Sequence, residues 1–315
     1  MGTPYAYFQK QFVPLAEANV SVMTHAFNYG TAVFEGIRGN WNEEEKQPYL
    51  FRLADHYQRL RQSCRVIKID LPYSVDELCD ITAQLVEMCG YQEDVYVRPI
   101  AYKSSKAVGV RLHDLEDDFL IFLTPFGPYL DIEKGARCGT SSWRRIEDVC
   151  IPARAKINGI YVNSALAKTE AAENGYDEAI MLTEDGHVSE GSGENIFIVE
   201  GGRLITPPVW SNILVGITRD TAITLAREEL GIETIERPID RSELYLADEC
   251  FMTGTAAHVT PVIEVDHRPV GDGKRGPITA ELQRLYFDVV RGKNSKYARW
   301  CMAASPKLQP AGRQG

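Results

Sequence analysis

The sequence lacks the features of secreted, membrane-spanning and metal-binding proteins. Its seven cysteines are odd in number and form no C-x-x-C pair, which favours free thiols in a reducing compartment. No apolar run approaches the about 18 residues of a membrane helix, and the first residues lack the basic and apolar regions of a secretory signal. The six histidines are scattered without an H-E-x-x-H pattern, so we expect no metal site. These absences predict a cytoplasmic protein.

Positive charge is also scarce. The chain has 34 Lys and Arg against 44 Asp and Glu, a net charge of −10. Nucleic acid and anionic membranes would be repelled, so neither is expected as a partner. An anionic ligand would need a local pocket of Arg side chains and backbone amides.

Length and composition predict two globular domains. The chain has 315 residues, of which 44% are hydrophobic and 25% charged, and domains average roughly 150 residues. Helices are predicted over 53–67 and 74–90, the second with a capping box at Ser74 and Glu77. β-rich runs lie at 49–53, 94–102 and 119–124. The segment 124–135 contains two Pro and two Gly without periodicity, which is typical of an interdomain linker.

The second half predicts strands near 137–142, 179–183 and 195–199, and helices near 163–174, 219–230 and 278–290. The whole chain is therefore predicted to be α+β, with its motifs in the second half and at the seam between the halves. The predicted boundaries are an N-terminal α/β domain over 1–124, an interdomain loop over 125–137, a C-terminal cofactor-binding domain over 138–302 and a disordered polar tail over 303–315.

Two residues could carry covalent chemistry. Lys156 lies among apolar residues in AKINGIYVNSALA (155–167), and an amine in such surroundings loses its proton more easily, as imine formation requires. A surface lysine with its stem on apolar neighbours would give the same pattern. Glu190 precedes Gly-Ser-Gly, where small residues let a flat ring approach, and a buried carboxylate could keep a pyridine nitrogen protonated. A tight turn with a surface glutamate is the alternative.

Two further turns could bind anions. Gly216, Ile217 and Thr218 begin a predicted helix, where free amides and the helix dipole favour phosphate, although an ordinary Thr N-cap is the commoner reason for such a sequence. Thr255 and Ala256 lie in a second turn of small residues and could offer amides and a hydroxyl.

Other patterns are discounted. The run GDGKRG (271–276) matches a dinucleotide fingerprint, but the polar run before it is unlike a buried parallel strand, so we interpret it as a surface turn. His25 precedes an aromatic run and is expected to be structural. Ser192 lacks the Gly-x-Ser-x-Gly pattern of a nucleophile elbow. Lys168 shares a helix with Glu170 and Glu173 and is expected to be solvated.

Taken together and in order, the motifs resemble the class IV (fold type IV) aminotransferases, and within them the branched-chain amino acid aminotransferases. The resemblance covers roughly residues 5–300. It rests on SVMTHAFNYGTAVFEGIR (21–38), LFRLADHYQRL (50–60), YVRP (96–99), SSWRR (141–145), the Lys156 segment, SEGSGENIF (189–197), TPP (206–208), GITRD (216–220), LYLADE (244–249) and GTAAHVTP (254–261).

The resemblance implies a two-domain fold, with a smaller N-terminal α/β domain, a larger C-terminal domain with a β-barrel-like core, and pyridoxal 5'-phosphate (PLP) at their interface. It implies that Lys156 carries the cofactor and is the catalytic residue. The other implied cofactor-binding residues are Glu190 at the pyridine nitrogen, Tyr161 at the phenolic oxygen, and Arg52, Ile217, Thr218 and Thr255 at the phosphate. The implied substrate-binding residues are Phe34, Gly36, Arg38, Tyr96, Arg98, Tyr129, Thr255 and Ala256, with Tyr29 and a partner-chain loop usually included.

The activity implied is transamination of Leu, Ile and Val with 2-oxoglutarate by a homodimer or higher homo-oligomer. A D-amino acid aminotransferase, an (R)-selective amine transaminase and an aminodeoxychorismate lyase share the fold and remain alternatives. Outside the fold, a nicotinamide dehydrogenase and a non-catalytic binding protein are the other hypotheses. Phe126 stands where many relatives have Trp, the loop 104–114 departs from the usual Gly/Met-rich version, and KINGIY (156–161) replaces a frequent Gly-Asn pair. These departures bear on the substrate rather than on the cofactor.

Overall fold

The first third of the chain combines short strands with three helices. In the computed structural model, which describes residues 3–304, the helices are α1 (His25–Tyr29), α2 (Leu53–Val66) and α3 (Val75–Cys89). The strands are β1 (Tyr5–Phe8), β2 (Gln11–Pro14), β3 (Ala32–Phe34), β4 (Ile37–Asn42), β5 (Gln47–Phe51), β6 (Val95–Lys103) and β7 (Asp117–Pro125).

The remaining elements follow a linker. The strands are β8 (Ala136–Thr140), β9 (Glu178–Leu182), β10 (Val188–Gly191), β11 (Asn195–Glu200), β12 (Arg203–Thr206), β13 (Thr234–Glu236), β14 (Glu249–Gly254), β15 (His258–Val265), β16 (Arg268–Pro269) and β17 (Cys301–Ala303). The helices are α4 (Tyr161–Glu173), α5 (Ile217–Glu229) and α6 (Pro277–Val290).

One sheet is formed mainly by the first third of the chain. Its order is β17-β5-β4-β6-β7-β1-β2, with β3 paired to β6. Helices α2 and α3 pack against it through Leu60, Leu78 and Leu85, which are fully buried. The capping box predicted for α3 is present, since Ser74 Oγ accepts the Glu77 amide at 3.2 Å and the Glu77 carboxylate accepts the Ser74 amide at 2.7 Å.

The second sheet is covered on both faces. Its order is β10-β9-β8-β15-β14-β11-β12-β13, with β16 paired to β15. Ile196 and Ile198 of β11 pack into one apolar cluster, whereas Phe197 and Val199 pack into another with α5 and α6. All five residues of β9 are buried, as expected for a strand with helices or loops on both sides. The predicted α+β class is confirmed.

The predicted domain boundaries remain a proposal. Strand β7 ends at Pro125 and β8 begins at Ala136, so the predicted loop 125–137 connects the two sheets. Strand β17, within the proposed second domain, pairs with β5 of the first sheet. Ala303 ends that strand and Ala304 is buried, whereas the rest of the predicted tail, 305–315, lies outside the described residues.

The patterns set aside in the sequence have plain structural explanations. His25 is buried, with Nδ1 bonded to Thr31 Oγ1 at 2.8 Å and Nε2 to the Gly109 carbonyl at 2.9 Å. The run 271–276 is a mostly exposed turn between β16 and α6. Over residues 3–304, no helix is long and apolar enough to cross a membrane, and no group of three His, Cys, Asp or Glu side chains is placed to hold a metal ion.

Candidate active site

A cavity of about 600 Å³ lies between elements of the two sheets. Its walls come from β3 and the turn that follows, β6, the linker, the segment before α4, the β10–β11 turn, the start of α5 and the β14–β15 turn. Most of the predicted site residues line it: Phe34, Gly36, Tyr96, Arg98, Tyr129, Lys156, Tyr161, Glu190, Ile217, Thr218, Thr255 and Ala256.

Lys156 is held by the first sheet although it precedes α4. Its carbonyl accepts the Phe34 amide at 3.0 Å, and its own amide donates to Ser63 Oγ of α2 at 3.1 Å. The side chain is partly buried, and Nζ donates to the Tyr161 hydroxyl at 2.6 Å. Nζ also lies 4.9 Å from the centre of the Phe34 ring. The amine therefore projects into the cavity with a hydrogen-bond partner and an apolar wall beside it.

Glu190 is a buried carboxylate on β10. One oxygen lies 2.9 Å from Arg145 Nη2, and the other accepts from Asn195 Nδ2 at 3.0 Å and from the Leu214 amide at 3.1 Å. Burial raises the pKa of Glu190, while Arg145, the Leu214 amide and Lys156 act in the opposite direction. A cation at the ring nitrogen of a bound ligand would also act to lower that pKa, because an opposite charge favours the ionised carboxylate.

The start of α5 offers backbone amides to the cavity. The N-cap is Gly216 rather than Thr218, so the alternative of Thr218 as the cap does not apply. The first amides of a helix have no intrahelical acceptor, and Ile217 and Thr218 occupy these positions on the cavity wall. A Cβ at Gly216 would collide with Asn195 Oδ1, so the close approach of this turn to β11 requires glycine.

The structure does not place Arg52 in the cavity. Its Nε lies 2.6 Å from Asp55 Oδ2 and its Nη1 lies 2.5 Å from Asp220 Oδ2, while its guanidinium stacks on Trp300. Arg59, two helical turns further along α2, lines the cavity instead. Arg52 is the N-cap that precedes α2 and contacts α5 through Asp220 and Thr221. Arg59 lies within α2, and its Nη1 donates to the Val215 carbonyl at 2.8 Å.

Glu35 holds Arg59 in place. Arg59 Nε and Nη2 each donate to one Glu35 oxygen at 2.7 Å, and His56 Nδ1 lies 2.8 Å from the second oxygen. Burial raises the pKa of Glu35, but the charge and hydrogen bonds of Arg59 and His56 outweigh this effect and lower it to about 2. Glu35 thereby fixes two N–H groups of the guanidinium and the Val215 carbonyl accepts a third, so the other N–H groups of Arg59 are the ones available to an anion.

The substrate side of the cavity combines aromatic rings with a cation. The Arg98 guanidinium lies 4.4 Å from the centre of the Phe34 ring, and its Nη2 donates to the Tyr96 hydroxyl at 3.2 Å. A Cβ at Gly36 would collide with that hydroxyl, so glycine is needed there. Phe126 packs against Tyr96 with ring centres 5.0 Å apart.

Arg38 does not line the cavity either. Its Nη2 donates to the Gly127 carbonyl at 3.2 Å and lies 3.8 Å from Asp94 Oδ2, and its guanidinium lies 4.9 Å from the centre of the Phe126 ring. Arg38 is directly opposite Tyr96 in the sheet, but Phe126 covers it. Its contacts hold the linker, and through the linker they hold a wall of the cavity.

Lys168 is not solvated in the way expected from its helix. Its Nζ lies 2.5 Å from Glu178 Oε2 on β9 and donates to the Asp177 carbonyl at 2.6 Å. Glu178 is fully buried, and the Lys168 ammonium lies 5.1 Å from the centre of the Tyr129 ring. The tertiary partner on β9 overrides the helix neighbours Glu170 and Glu173.

The residues around the cavity fit PLP. Among residues 3–304, four buried polar atoms of cavity-lining residues have no hydrogen-bond partner: Arg98 Nε, Arg145 Nη1, Asn158 Oδ1 and Thr253 Oγ1. Buried polar atoms are normally paired, so such a group indicates a polar ligand. The lysine amine, the buried glutamate and the helix start suit the aldehyde carbon, the ring nitrogen and the phosphate of PLP, respectively.

Sequence reasoning missed three polar residues of this site. Arg59 and Arg145 stand in motifs that carry the resemblance, LFRLADHYQRL and SSWRR, but no role is predicted for either. Asn195, which bonds Glu190, stands in SEGSGENIF. The sequence signal that separates the two arginines is the predicted helix over 53–67, which contains Arg59 but not Arg52.

Comparisons with known proteins identify the family of the chain. The amino-transferase class IV family profile matches residues 32–265. The chain is 53% identical to a probable branched-chain-amino-acid aminotransferase of Aquifex aeolicus, over 94% of this chain and 95% of that protein.

Two solved structures share the fold over nearly the whole chain. The branched-chain aminotransferase of Thermoproteus uzoniensis, crystallised with norvaline, is 45% identical with a TM-score of 0.92, covering 96% of this chain and 100% of that one. The branched-chain amino acid aminotransferase of Thermobaculum terrenum, in its PLP-bound holo form, is 41% identical with a TM-score of 0.92, covering 97% and 100%. The predicted fold type IV architecture is thereby confirmed. The chain belongs to the class IV aminotransferases and, within them, to the branched-chain-amino-acid aminotransferases.

Proposed function

We propose that this protein transfers the amino group of leucine, isoleucine and valine to 2-oxoglutarate, with PLP attached to Lys156. Its assignment as a PLP-dependent branched-chain-amino-acid aminotransferase agrees with the family and with its relatives. The observation that carries the residue-level proposal is the position of Lys156 Nζ, 2.6 Å from the Tyr161 hydroxyl, in one cavity with Glu190 and the start of α5.

Besides Lys156, six groups would hold the cofactor. Glu190 would face the pyridine nitrogen and keep it protonated, while Tyr161 would bind the phenolic oxygen. Arg59, rather than Arg52, would supply the guanidinium for the phosphate, together with the amides of Ile217 and Thr218 and the Thr255 hydroxyl. When bound, PLP supplies an electron-withdrawing ring that stabilises negative charge at the substrate α-carbon.

Lys156 would move the proton of the reaction. With substrate and cofactor bound, the Lys156 amine would act as the general base that takes the proton from the substrate α-carbon and would hold it for return to the product. The Tyr161 hydroxyl, 2.6 Å away, orients this amine. The Phe34 ring beside Nζ limits the water that could compete for the proton.

The cavity can accept both an apolar and an acidic side chain. Phe34, Tyr96 and Phe126 supply apolar surface, and Arg98 lies across the Phe34 ring with an unpartnered Nε among the described contacts. A branched side chain would pack on the rings. The second carboxylate of 2-oxoglutarate would bind the guanidinium.

A homodimer is the assembly we propose. Val22, Phe27 and Val110 are large apolar side chains with 76%, 70% and 91% of their surface exposed. Their two segments are tied together by a hydrogen bond of 3.0 Å from the Gly109 amide to the Tyr29 hydroxyl. Exposed apolar surface of this kind favours association between subunits. Light scattering of the purified protein would give the mass of the assembly.

We place the protein in the cytoplasm. All seven cysteines are free in the structure, and five of them are buried. Thiols in this state fit a reducing compartment.

The test is to mix the purified holoenzyme separately with L-leucine, D-alanine and (R)-1-phenylethylamine and to follow the absorbance of the lysine-bound cofactor. Rapid loss of that band with L-leucine, and restoration by 2-oxoglutarate, is the expected result. Bleaching chiefly with D-alanine or with the amine would move the function to another activity of the same fold. Lys156→Ala should abolish turnover, whereas Lys134→Ala, at a lysine whose side chain is 86% exposed, should leave it unchanged.

A further inference from the structure

A cluster of buried charged groups lies behind the substrate side of the cavity. Lys168 on α4 is paired with Glu178 on β9 at 2.5 Å, and the other Glu178 oxygen accepts the Ala179 amide at 2.7 Å. Glu178 is fully buried and the Lys168 side chain is 31% exposed, so solvent screens this ion pair only from the lysine side. Lys168 therefore forms its ion pair with Glu178.

Glu194, between β10 and β11, is the second carboxylate of the cluster. It lines the cavity but is only 4% exposed, and Oε2 accepts the Gly193 amide at 3.1 Å. Within residues 3–304 no Lys, Arg or His forms an ion pair with it. Its Cγ would lie 3.3 Å from a Cβ built on Gly254. The Glu194 side chain is therefore packed directly behind the first residue of the turn 254–256.

The groups facing Glu194 do not favour a second negative charge. Burial raises the pKa of Glu194, the Glu178 carboxylate raises it further, and Glu190 acts in the same direction. The Gly193 amide and Lys168 oppose these effects but do not cancel them. Tyr129 in the linker and Cys138 on β8 also face this cluster, and burial raises the pKa of both, so neither supplies a countercharge.

The Lys168 ammonium can balance the charge of only one of the two carboxylates, Glu178 and Glu194, so the other is expected to carry a proton. Because Glu178 holds Lys168, the proton belongs on Glu194. A carboxylate bound at the amides of Thr255 and Ala256 would meet an ionised Glu194 at short range in a region of low dielectric, where like charges repel strongly.

We propose that Glu194 is a positioning residue that stays a neutral carboxylic acid so that the turn 254–256 can bind the carboxylate of a substrate, and that loss of its proton at alkaline pH weakens the binding of such substrates. This inference rests on the proposed function, because it takes the 254–256 turn as part of the substrate site. It adds a residue to which the sequence motifs assign no role.

The probe is 4-methylpentanoate, which has a branched apolar chain and a carboxylate but no amine to react. Holoenzyme is titrated with it between about pH 6 and pH 10, and cofactor absorbance reports the Kd. For the wild-type protein, Kd should rise by about tenfold or more across the alkaline range. Glu194→Gln keeps the shape of the side chain and is always neutral, so the part of this rise that Glu194 causes should disappear.

Lys168→Met gives an independent readout, because it should shift the pH at which Kd rises instead of removing the rise. Its ammonium opposes the proton on Glu194, so removing it should move the rise in Kd to higher pH. Glu173→Gln, an exposed carboxylate on the same helix, is the matched control and should follow the wild type. The role of Glu194 is therefore measured by the differences between variants and not by the wild-type titration alone.

The inference is overturned if Glu194→Gln keeps the full alkaline rise in Kd, or if Lys168→Met leaves the rise in place or moves it to lower pH. Should Glu194→Gln fail to fold, the Lys168→Met shift decides alone. Failure of the proposed function looks different: the wild-type holoenzyme would then not lose its absorbance band with L-leucine at neutral pH. A protein that reacts with L-leucine but fails the variant test contradicts only the role of Glu194.

Discussion

Two arginine–carboxylate pairs border the cavity, and the protein satisfies them to different extents. Both oxygens of Glu35 accept from Arg59 at 2.7 Å, and His56 adds a third partner at 2.8 Å. Glu190 has one arginine contact, at 2.9 Å from Arg145, and within residues 3–304 Arg145 Nη1 has no partner. Glu35 lies behind the cavity wall, whereas Glu190 is part of it.

The contrast shows how burial can have opposite outcomes. Burial raises the pKa of each carboxyl group, but in Glu35 the charged and hydrogen-bonding partners prevail and in Glu190 they do not. The Glu35–Arg59 pair has all its charged partners within the protein, and its role is to hold the arginine in position. The Glu190–Arg145 pair can still bind a ligand, and the cation of a bound pyridine ring is the ligand that would complete it.

Removing the charge of Glu190 is expected to have the largest effect on catalysis. Glu190→Gln keeps the contacts to Asn195 and Leu214 but cannot act as a counter-ion for a protonated ring nitrogen. We expect kcat to fall by about 1000-fold, in the range seen when a preorganised charge is lost. Steady-state rates with L-leucine would measure it, and Glu184→Gln, an exposed carboxylate in the preceding hairpin, is the control. An unchanged kcat in Glu190→Gln would contradict the role of Glu190 as a counter-ion, and with it the contrast between Glu190 and Glu35.

Breaking the Glu35–Arg59 pair should lower the stability of the fold. Glu35→Gln leaves Arg59 buried beside a neutral amide, and the free energy of unfolding should fall by about 3–5 kcal/mol. Denaturant titration of the apoprotein measures this, so that cofactor loss does not contribute. Equal stability of Glu35→Gln and Glu184→Gln would show that the Glu35–Arg59 pair does not stabilise the fold.

The same variant has a pH signature. Because the pKa of Glu35 is lowered from 4.5 to about 2, its ionised form stabilises the fold above pH 4.5, and this contribution is lost as the pH falls toward 2. The difference in stability between wild type and Glu35→Gln should therefore narrow on acidification. A constant difference over that range would contradict the assignment.

Loss of Arg145 should have an intermediate effect that depends on pH. Arg145 opposes the rise in the pKa of Glu190, so Arg145→Met should move the acidic limb of the kcat profile to higher pH by about one unit. Activity would then fall more at acidic than at alkaline pH. Arg144→Met changes an exposed neighbour and should leave the profile in place. A loss of rate that is uniform with pH would point to a purely structural role.

The smallest effect is expected at Arg52. Its partners are Asp55 and Asp220 outside the cavity, so Arg52→Ala should change the Kd of PLP by less than about threefold. Arg59→Ala should raise that Kd by about 10- to 100-fold, because a charged hydrogen bond to phosphate is lost. Equilibrium dialysis of the two variants would measure both values. A larger increase in this Kd for Arg52→Ala than for Arg59→Ala would show that Arg52 binds the phosphate.

Local patterns and motif order predict much of this molecule. The capping box at Ser74 and Glu77 depends only on neighbours within one turn, so the sequence suffices to locate the start of α3. The order of ten motifs singles out Lys156 and Glu190, and the structure brings both to one cavity. Their roles stay proposals until the variants are measured.

Where contacts in the structure differ from the sequence predictions, the cause is a partner far away in the sequence. The helix neighbours of Lys168 predict a solvated side chain, but its partner Glu178 is on another element. Arg38 and Arg52 have the residue type that an anion site needs, yet Phe126 covers one, and Asp220, far along the sequence, binds the other. Arg52 precedes α2 and Arg59 lies within it, and both reach the segment around the start of α5. Only the fold shows that Arg59 lines the cavity while Arg52 pairs with Asp220.

Strand β17 has a consequence for how the protein is made. Its residues 301–303 pair with β5 immediately before Arg52 and α2, and the Arg52 amide donates to the Trp300 carbonyl at 2.6 Å. The ribosome translates residues 301–303 long after it has released β5, so this edge of the first sheet stays open while the second sheet is being synthesised. An open edge is a template for pairing with other chains. During translation β5 is therefore an edge at which nascent chains can pair with one another, until residues 301–303 emerge and cover it.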